Sequence, residues 1–399
     1  MKLRDKDYYP KAMKDMEYSL LFSGKQGNTY CMGSKCCDKY IQLNEKNKDA
    51  VQKAVQLMDG HHAISKIQQH MEEEYQMKID ILQLCEWLGK AGLLENRPED
   101  VNIEKQEMDY LSLKIKGWRL EKWYKLFSFL GEKHGKEILI SSVVLILTGI
   151  ALMVIKWKDF FQLKSYEVHG SLLMGVMWVL LLFVLSIGIH ELSHAVVGYR
   201  CGLKPKELVF SLYLGSPMFY IKMPGIYTIA PKKRIFVWAA GVYANLMVAA
   251  ICAILMQCTQ GSWRNMFLIC CSTNISLVVA NLSPLLPLDG YFILSTLLKR
   301  PNLRKGSFQQ FKKWFLRKEN NFSGWYVLYF VISVAFYVVF ALYEVEWLVN
   351  VIKKGITYGY TWKEYLYEFR IIVMILGIIL IKKCMELIVN MTKRRLVRV

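Results

Sequence analysis

Leu172-Leu173-Met174-Gly175-Val176-Met177-Trp178-Val179-Leu180-Leu181-Leu182-Phe183-Val184-Leu185-Ser186-Ile187-Gly188-Ile189 is an apolar run that carries no charge and ends in His190-Glu191-Leu192-Ser193-His194. A helix needs about 20 apolar residues to cross the hydrocarbon of a bilayer, so the run reads as a membrane span with ionisable groups at one end. Working outward, Ile138 to Ile155, Ile235 to Met256, Met266 to Ala280, Trp325 to Tyr343 and Ile371 to Ile381 have the same character. The 399 residues are 54% hydrophobic with only nine prolines. These segments predict a mainly α fold, a polytopic membrane helical bundle of about six spans.

Dense basic clusters at Lys114 to Lys136, Arg200 to Arg234, Lys299 to Lys318 and Lys382 to Arg398 alternate with loops poorer in Lys and Arg. Met1 to Gln26 is charged throughout and has no secretory h-region. The positive-inside rule then predicts a multi-pass protein of the cell membrane with N- and C-termini in the cytoplasm. The net charge of +19 sits beside the spans, where anionic lipid accounts for it. No basic-aromatic binding motif accompanies it, so no nucleic-acid partner is expected. Most cysteines fall in spans or on the cytoplasmic side, where disulfides are not expected. Cys31, Cys36 and Cys37 lack the spacing of a zinc finger.

Residues 1–110 are polar and read as a separate small α+β domain, winged-helix-like. Tyr18 to Phe22 and Tyr40 to Leu43 look like strands around a turn-rich stretch containing Gly24, Gly27, Asn28 and Gly33. Helical periodicity follows in Asp49 to Met58, Ala63 to Tyr75 and Ile79 to Ala91. Residues 111–136 mix Trp118, Trp123 and Phe127 with lysines, as an amphipathic interfacial linker would. Residues 137–399 form the membrane domain, in which Lys204 to Tyr227 reads equally as a strand pair at the cytoplasmic mouth or as a covering loop. His61, His62 and His70 read as ordinary surface or core residues.

His190-Glu191-Leu192-Ser193-His194 is an H-E-x-x-H sequence. On a helix, positions i and i+4 share a face, so both imidazoles can reach one zinc ion while Glu191 serves as general base. A chance match is expected less often inside a span, because a desolvated carboxylate and two imidazoles are costly there. Catalytic zinc takes three protein ligands and a water. Apart from Glu191, the one acidic residue in a deeply apolar stretch is Asp289, in Asn281-Leu282-Ser283-Pro284-Leu285-Leu286-Pro287-Leu288-Asp289-Gly290. Two prolines break the helix there, and such backbone is tolerated at membrane depth only in protein or beside a wet cavity.

Together with Gly241-Val242-Tyr243-Ala244-Asn245, these two motifs resemble the site-2 protease family of intramembrane zinc metalloproteases. The resemblance implies Zn2+ held by His190, His194 and Asp289, with Glu191 as base and Asn245 assisting at the oxyanion or the substrate backbone. Asp289-Gly290-Tyr291-Phe292-Ile293-Leu294 and Pro301-Asn302-Leu303-Arg304 look like the bacterial peptide zinc metalloprotease branch. That branch often carries a PqqD-like domain, similar to the peptide chaperone of pyrroloquinoline quinone biosynthesis. Met58-Asp59-Gly60, Ala63 to Tyr75 and Leu88-Gly89-Lys90-Ala91-Gly92-Leu93-Leu94 match it over residues 15–96. The resemblance implies leader-peptide binding by strand addition and a helix groove. Ser193 replaces the usual small residue, and the middle element lacks the common Gly-Pro; neither change removes a ligand.

The expected activity is therefore hydrolysis of a peptide bond in the maturation of a ribosomally made modified peptide or bacteriocin precursor. Regulated intramembrane proteolysis of a membrane-anchored signalling protein is the alternative. A non-enzymatic leader-binding or immunity membrane protein is a third, against which the intact metal residues count. Expected partners are a peptide or membrane-protein substrate, the lipid bilayer, and a modification enzyme or exporter of the same pathway.

Overall fold

The computed structural model describes residues 8–24, 27–35, 38–103, 112–213, 216–300, 302–316 and 324–358. They fall into two compact units. The first holds 8–103, 116–209 and 219–300; the second holds 112–115, 210–213, 216–218, 302–316 and 324–358.

The first unit opens with β1 (Met16–Gly24), β2 (Gly27–Ser34) and β3 (Lys39–Asn44), an antiparallel meander in that order. Pairing runs from Met16↔Ser34 on one side and Gly33↔Tyr40 on the other, with a bulge between Leu20 and Phe22. The stretch read as turn-rich is in fact strand β2. Its glycines serve the sheet: a Cβ at Gly33 would meet the Lys39 carbonyl and the Tyr40 ring.

Three helices follow, α1 (Glu45–Gln56), α2 (Ile64–Glu73) and α3 (Ile81–Ala91), close to their expected places. Each turns one apolar stripe inward, so Val51, Ala54, Ile67, Met71, Ile81, Leu84 and Leu88 bury against Met32 and Leu43 of the sheet. Asp80 caps α3 by accepting from the Gln83 N–H at 2.9 Å, and Gly92 ends it in the left-handed region at φ 70°. Between α1 and α2, Asp59 accepts from the His61 N–H and bonds the His62 ring, which holds its carboxyl down at about 2. His62 and His70 pair with Asp59 and Glu74 at the surface.

The expected interfacial helix is only half present. Ser112–Arg119 is strand β4, and helical turns run only from Glu121 to Lys133. Leu113 and Ile115 alternate with lysines, a period of two that outweighs the amphipathic composition. Lys204 to Tyr227 contains β5 (Glu207–Tyr213) and β6 (Ser216–Lys222). Within the first unit, 116–119, 207–209 and 219–222 form a sheet in the order β4-β5-β6, with Trp118 stacked on Phe219 at 6.4 Å.

Among the described residues, four helices are long and apolar enough to cross a bilayer: α4 (Gly135–Ile155), α5 (Leu172–Arg200), α6 (Pro231–Cys258) and α7 (Gly261–Leu282). They coincide with the first four expected spans. Their outward faces are apolar, with Ile140, Val144 and Leu173 fully in the open, as lipid contact requires. Helix α6 is the enclosed one: 56% of its apolar window is buried, against 11% for α4 and α5. Close approach to α6 depends on small residues. A Cβ at Gly149 of α4 would fall 2.4 Å from the Ala250 Cα, and two turns away Ser142 meets the Tyr243 hydroxyl. Past α7, a proline-containing stretch leads into the short helix α8 (Asp289–Leu297).

The second unit contains α9 (Leu303–Phe315) and α10 (Gly324–Tyr358), joined by Phe311 stacked on Phe330 at 4.1 Å. The segment expected as a fifth span, Trp325 to Tyr343, lies in the first part of α10, whose described apolar stretch, Gly324–Val339, is shorter than the four helices above. That helix continues to Tyr358. The expected sixth span, Ile371 to Ile381, lies outside the described residues, as do Cys36, Cys37 and Cys384.

Gly149→Leu should force α4 off α6. Overpacking of this kind costs about 1–3 kcal/mol, so the variant should melt earlier than wild type in detergent. An unchanged melting temperature would mean that α4 is not packed on Ala250.

Candidate metal centre

His190 and His194 lie one turn apart near the C-terminal end of α5, and both face α6. They are 5% and 7% exposed, with ring centroids 4.8 Å apart and planes at 82°. The His190 ring could not be enclosed this way without a gap in the neighbouring helix. Gly241 supplies it: a Cβ there would lie 2.3 Å from His190 Nε2.

Helix α6 also fixes which nitrogen of each ring faces the centre. His194 Nδ1 bonds the Val237 carbonyl at 2.6 Å. A carbonyl only accepts, so Nδ1 carries the proton and the Nε2 lone pair is free. His190 Nδ1 meets the Asn245 side-chain amide at 3.2 Å. Asn245 is fully buried, and its Oδ1 has no partner while Nδ2 faces the ring. Amide orientation is assigned from the hydrogen-bond network. Turning this one over lets Oδ1 accept from His190 Nδ1–H, and the lone pair of His190 then also sits on Nε2. Asn245, expected to assist at the oxyanion or the substrate backbone, lies here against the His190 ring.

Asp289 arrives from the other side as the first residue of α8. Gly290 lets that helix start against the end of α7, because a Cβ would meet the Leu282 carbonyl at 2.3 Å. Trp238 of α6 stacks on Phe292 of α8 at 4.9 Å and 26°, which holds the turn after Asp289 in place. The result is Asp289 Oδ2 at 3.1 Å from His190 Nε2 and 3.4 Å from His194 Nε2. Despite those distances, Oδ2 is a buried oxygen with no properly aligned donor. Metal–ligand bonds of 2.0–2.1 Å in a tetrahedron imply ligand-to-ligand edges of about 3.3 Å. Three lone pairs at that spacing, one on an orphaned carboxylate oxygen, fit a cation between them.

Glu191 is the neighbouring carboxylate. His190, Glu191 and His194 offer ligand atoms within 4.8 Å of one another, a group that could hold a metal ion. The Glu191 carboxylate faces His194, His190 and Asp289, and also the backbone amide of Ile221 on β6. All five residues expected from the sequence are thus brought together: His190, Glu191, His194, Asn245 and Asp289. Sequence reasoning missed Val237 and Ile221, because both act through the backbone and leave no side-chain signal. Gly241 stood in a quoted motif, but its task, making room for His190, needed the helix pairing.

Gly241→Ala should tilt the His190 ring away from the common point. The purified variant is expected to retain its fold by circular dichroism and to carry at least tenfold less bound divalent metal under limiting supply, at the low end of what losing ligand support costs. Wild-type metal content in that variant would show that the ring has room to spare. Comparisons of the chain with protein-family models, with curated proteins and with solved structures found no match.

Proposed function

We propose that the chain is a membrane zinc metallopeptidase of the site-2 protease type, with His190, His194 and Asp289 as ligands and Glu191 as general base. The observation that carries this reading is the convergence of two α6-oriented Nε2 atoms on the buried Asp289 Oδ2, at 3.1 and 3.4 Å. Two carboxylates compete for the third ligand place. Asp289 is the better ligand because its oxygen already stands at ligand spacing from both rings. Glu191, adjacent to His190 on α5, is then left for acid–base work. Imidazole and carboxylate without thiolate suit zinc, with three protein ligands and one open place.

Zinc, when bound, supplies Lewis-acid polarisation of a carbonyl and acidifies water towards neutral pH. The chain supplies the rest. Val237 and Asn245 keep the imidazoles in one tautomer. Glu191 accepts the proton of the attacking water and returns it to the departing amine. Strand β6 brings its backbone to Glu191, so an extended peptide laid along it would have its amides beside the base. The chemistry of that substrate is a peptide bond at, or just inside, the membrane edge of the four apolar helices. We assign the N-terminal module the recruitment of a leader-bearing precursor, which favours peptide maturation over signalling.

Purified protein should hold about one zinc per chain, and His190→Ala, His194→Ala or Asp289→Ala should each deplete it. Glu191→Gln keeps the shape and loses the base, so zinc should stay while peptide cleavage falls by about 10²–10⁴. If Glu191→Gln instead empties the site while Asp289→Ala keeps its zinc, the two carboxylates have the opposite roles.

A further inference from the structure

Arg234 lies in the first turn of α6 and is 1% exposed, a burial that an arginine does not reach without a partner. Its guanidinium reaches into the N-terminal module. Nη2 donates to the Leu21 carbonyl, and the guanidinium lies 5.0 Å from the centre of the Phe22 ring. Leu21 is the extra residue at the β1 bulge, without a ladder partner on β2, which is how its carbonyl becomes free to face outward. Two residues on, the Ser23 carbonyl accepts from Lys299 Nζ at 2.5 Å. Cys31 Sγ of β2 bonds the Tyr227 carbonyl at 3.3 Å, and Tyr40 of β3 meets the Tyr227 ring edge-on at 5.9 Å.

One basic side chain comes from α6 and the other from the residue after the C-cap of α8, the two helices that complete the candidate centre. Arg234 is one turn before Val237, whose carbonyl orients His194. Lys299 follows the end of α8, which begins with Asp289. We infer that the bulged strand β1 is a clamp on the metal centre, with Arg234 and Lys299 as positioning residues that fasten α6 and α8 to one strand. This rests on the zinc reading and goes beyond it, because it makes the N-terminal module part of the site as well as its recruiter. Freeing β1 would take away the carbonyl and the ring that hold the Arg234 guanidinium and open it to water, so the start of α6 loses its fastening when the module lets go. Deleting residues 1–100 should therefore cost metal as well as substrate.

The test uses the full chain in detergent. Zinc loss to a chelator and the visible spectrum of the cobalt(II)-substituted protein are followed for wild type, Arg234→Met, Arg234→Lys, Phe22→Ala and Lys299→Ala, with hydrogen exchange reporting release of residues 16–24. Ligand support at one remove is worth about tenfold in metal affinity. Arg234→Met and Phe22→Ala should release β1, lose zinc about tenfold more readily and alter the cobalt bands. Lys299→Ala should do so more weakly, since Lys299 is exposed, and Arg234→Lys should restore most of the retention. If β1 exchanges freely in Phe22→Ala or Arg234→Met while zinc retention and the cobalt spectrum match wild type, there is no clamp. Wild type that binds no zinc would instead remove the metallopeptidase reading itself. Should Arg234→Met fail to fold, Phe22→Ala decides the matter from the β1 side of the Arg234 contact and Lys299→Ala through the second fastening.

Discussion

Everything at the candidate site depends on how closely α5 can lie against α6. Two imidazoles and a carboxylate on a helix with a lipid-exposed face are affordable only where another helix covers them and satisfies their polar atoms. Gly241 permits the approach, and Val237 and Asn245 use it to fix the rings. Placing these three groups on the most enclosed helix gives the centre a rigid wall, whereas α4 and α5 turn most of their surface outward.

The second carboxylate needs a different solution. A continuous α7 would carry Asp289 past the imidazoles, so the chain stops, passes Pro284 and Pro287, and restarts at Asp289 against the end of α7. The Trp238–Phe292 stack ties the restarted helix to α6. Contacts from the N-terminal module reach the start of α6 and the residue after the C-cap of α8, which gives that module a mechanical route to the His190, His194 and Asp289 cluster.

Much of this was legible in the sequence because hydropathy and ligand spacing are local. The spans from Ile138 to Ala280 stood out by length alone, and His190 with His194 by helical periodicity. The remainder failed for identifiable reasons. Glycines at 24, 27 and 33 suggest turns, and only pairing with β1 and β3 makes 27–34 a strand. Trp118 beside the lysines at 114 and 116 mimics an interfacial helix. Arg234 looked like one more topology-setting positive charge at the end of a basic cluster, and nothing local says that it is buried under Leu21 and Phe22. Val237 contributes only a carbonyl, which no residue type announces.

The central claim is that His190, His194 and Asp289 form one tetrahedral centre with one open place. X-ray absorption at the zinc edge tests it most directly. The account predicts a four-coordinate shell of nitrogen and oxygen at about 2.0–2.1 Å, with imidazole outer-shell scattering from two rings and no sulfur. A shell containing sulfur near 2.3 Å, or one in which the imidazole scattering is absent, would contradict it.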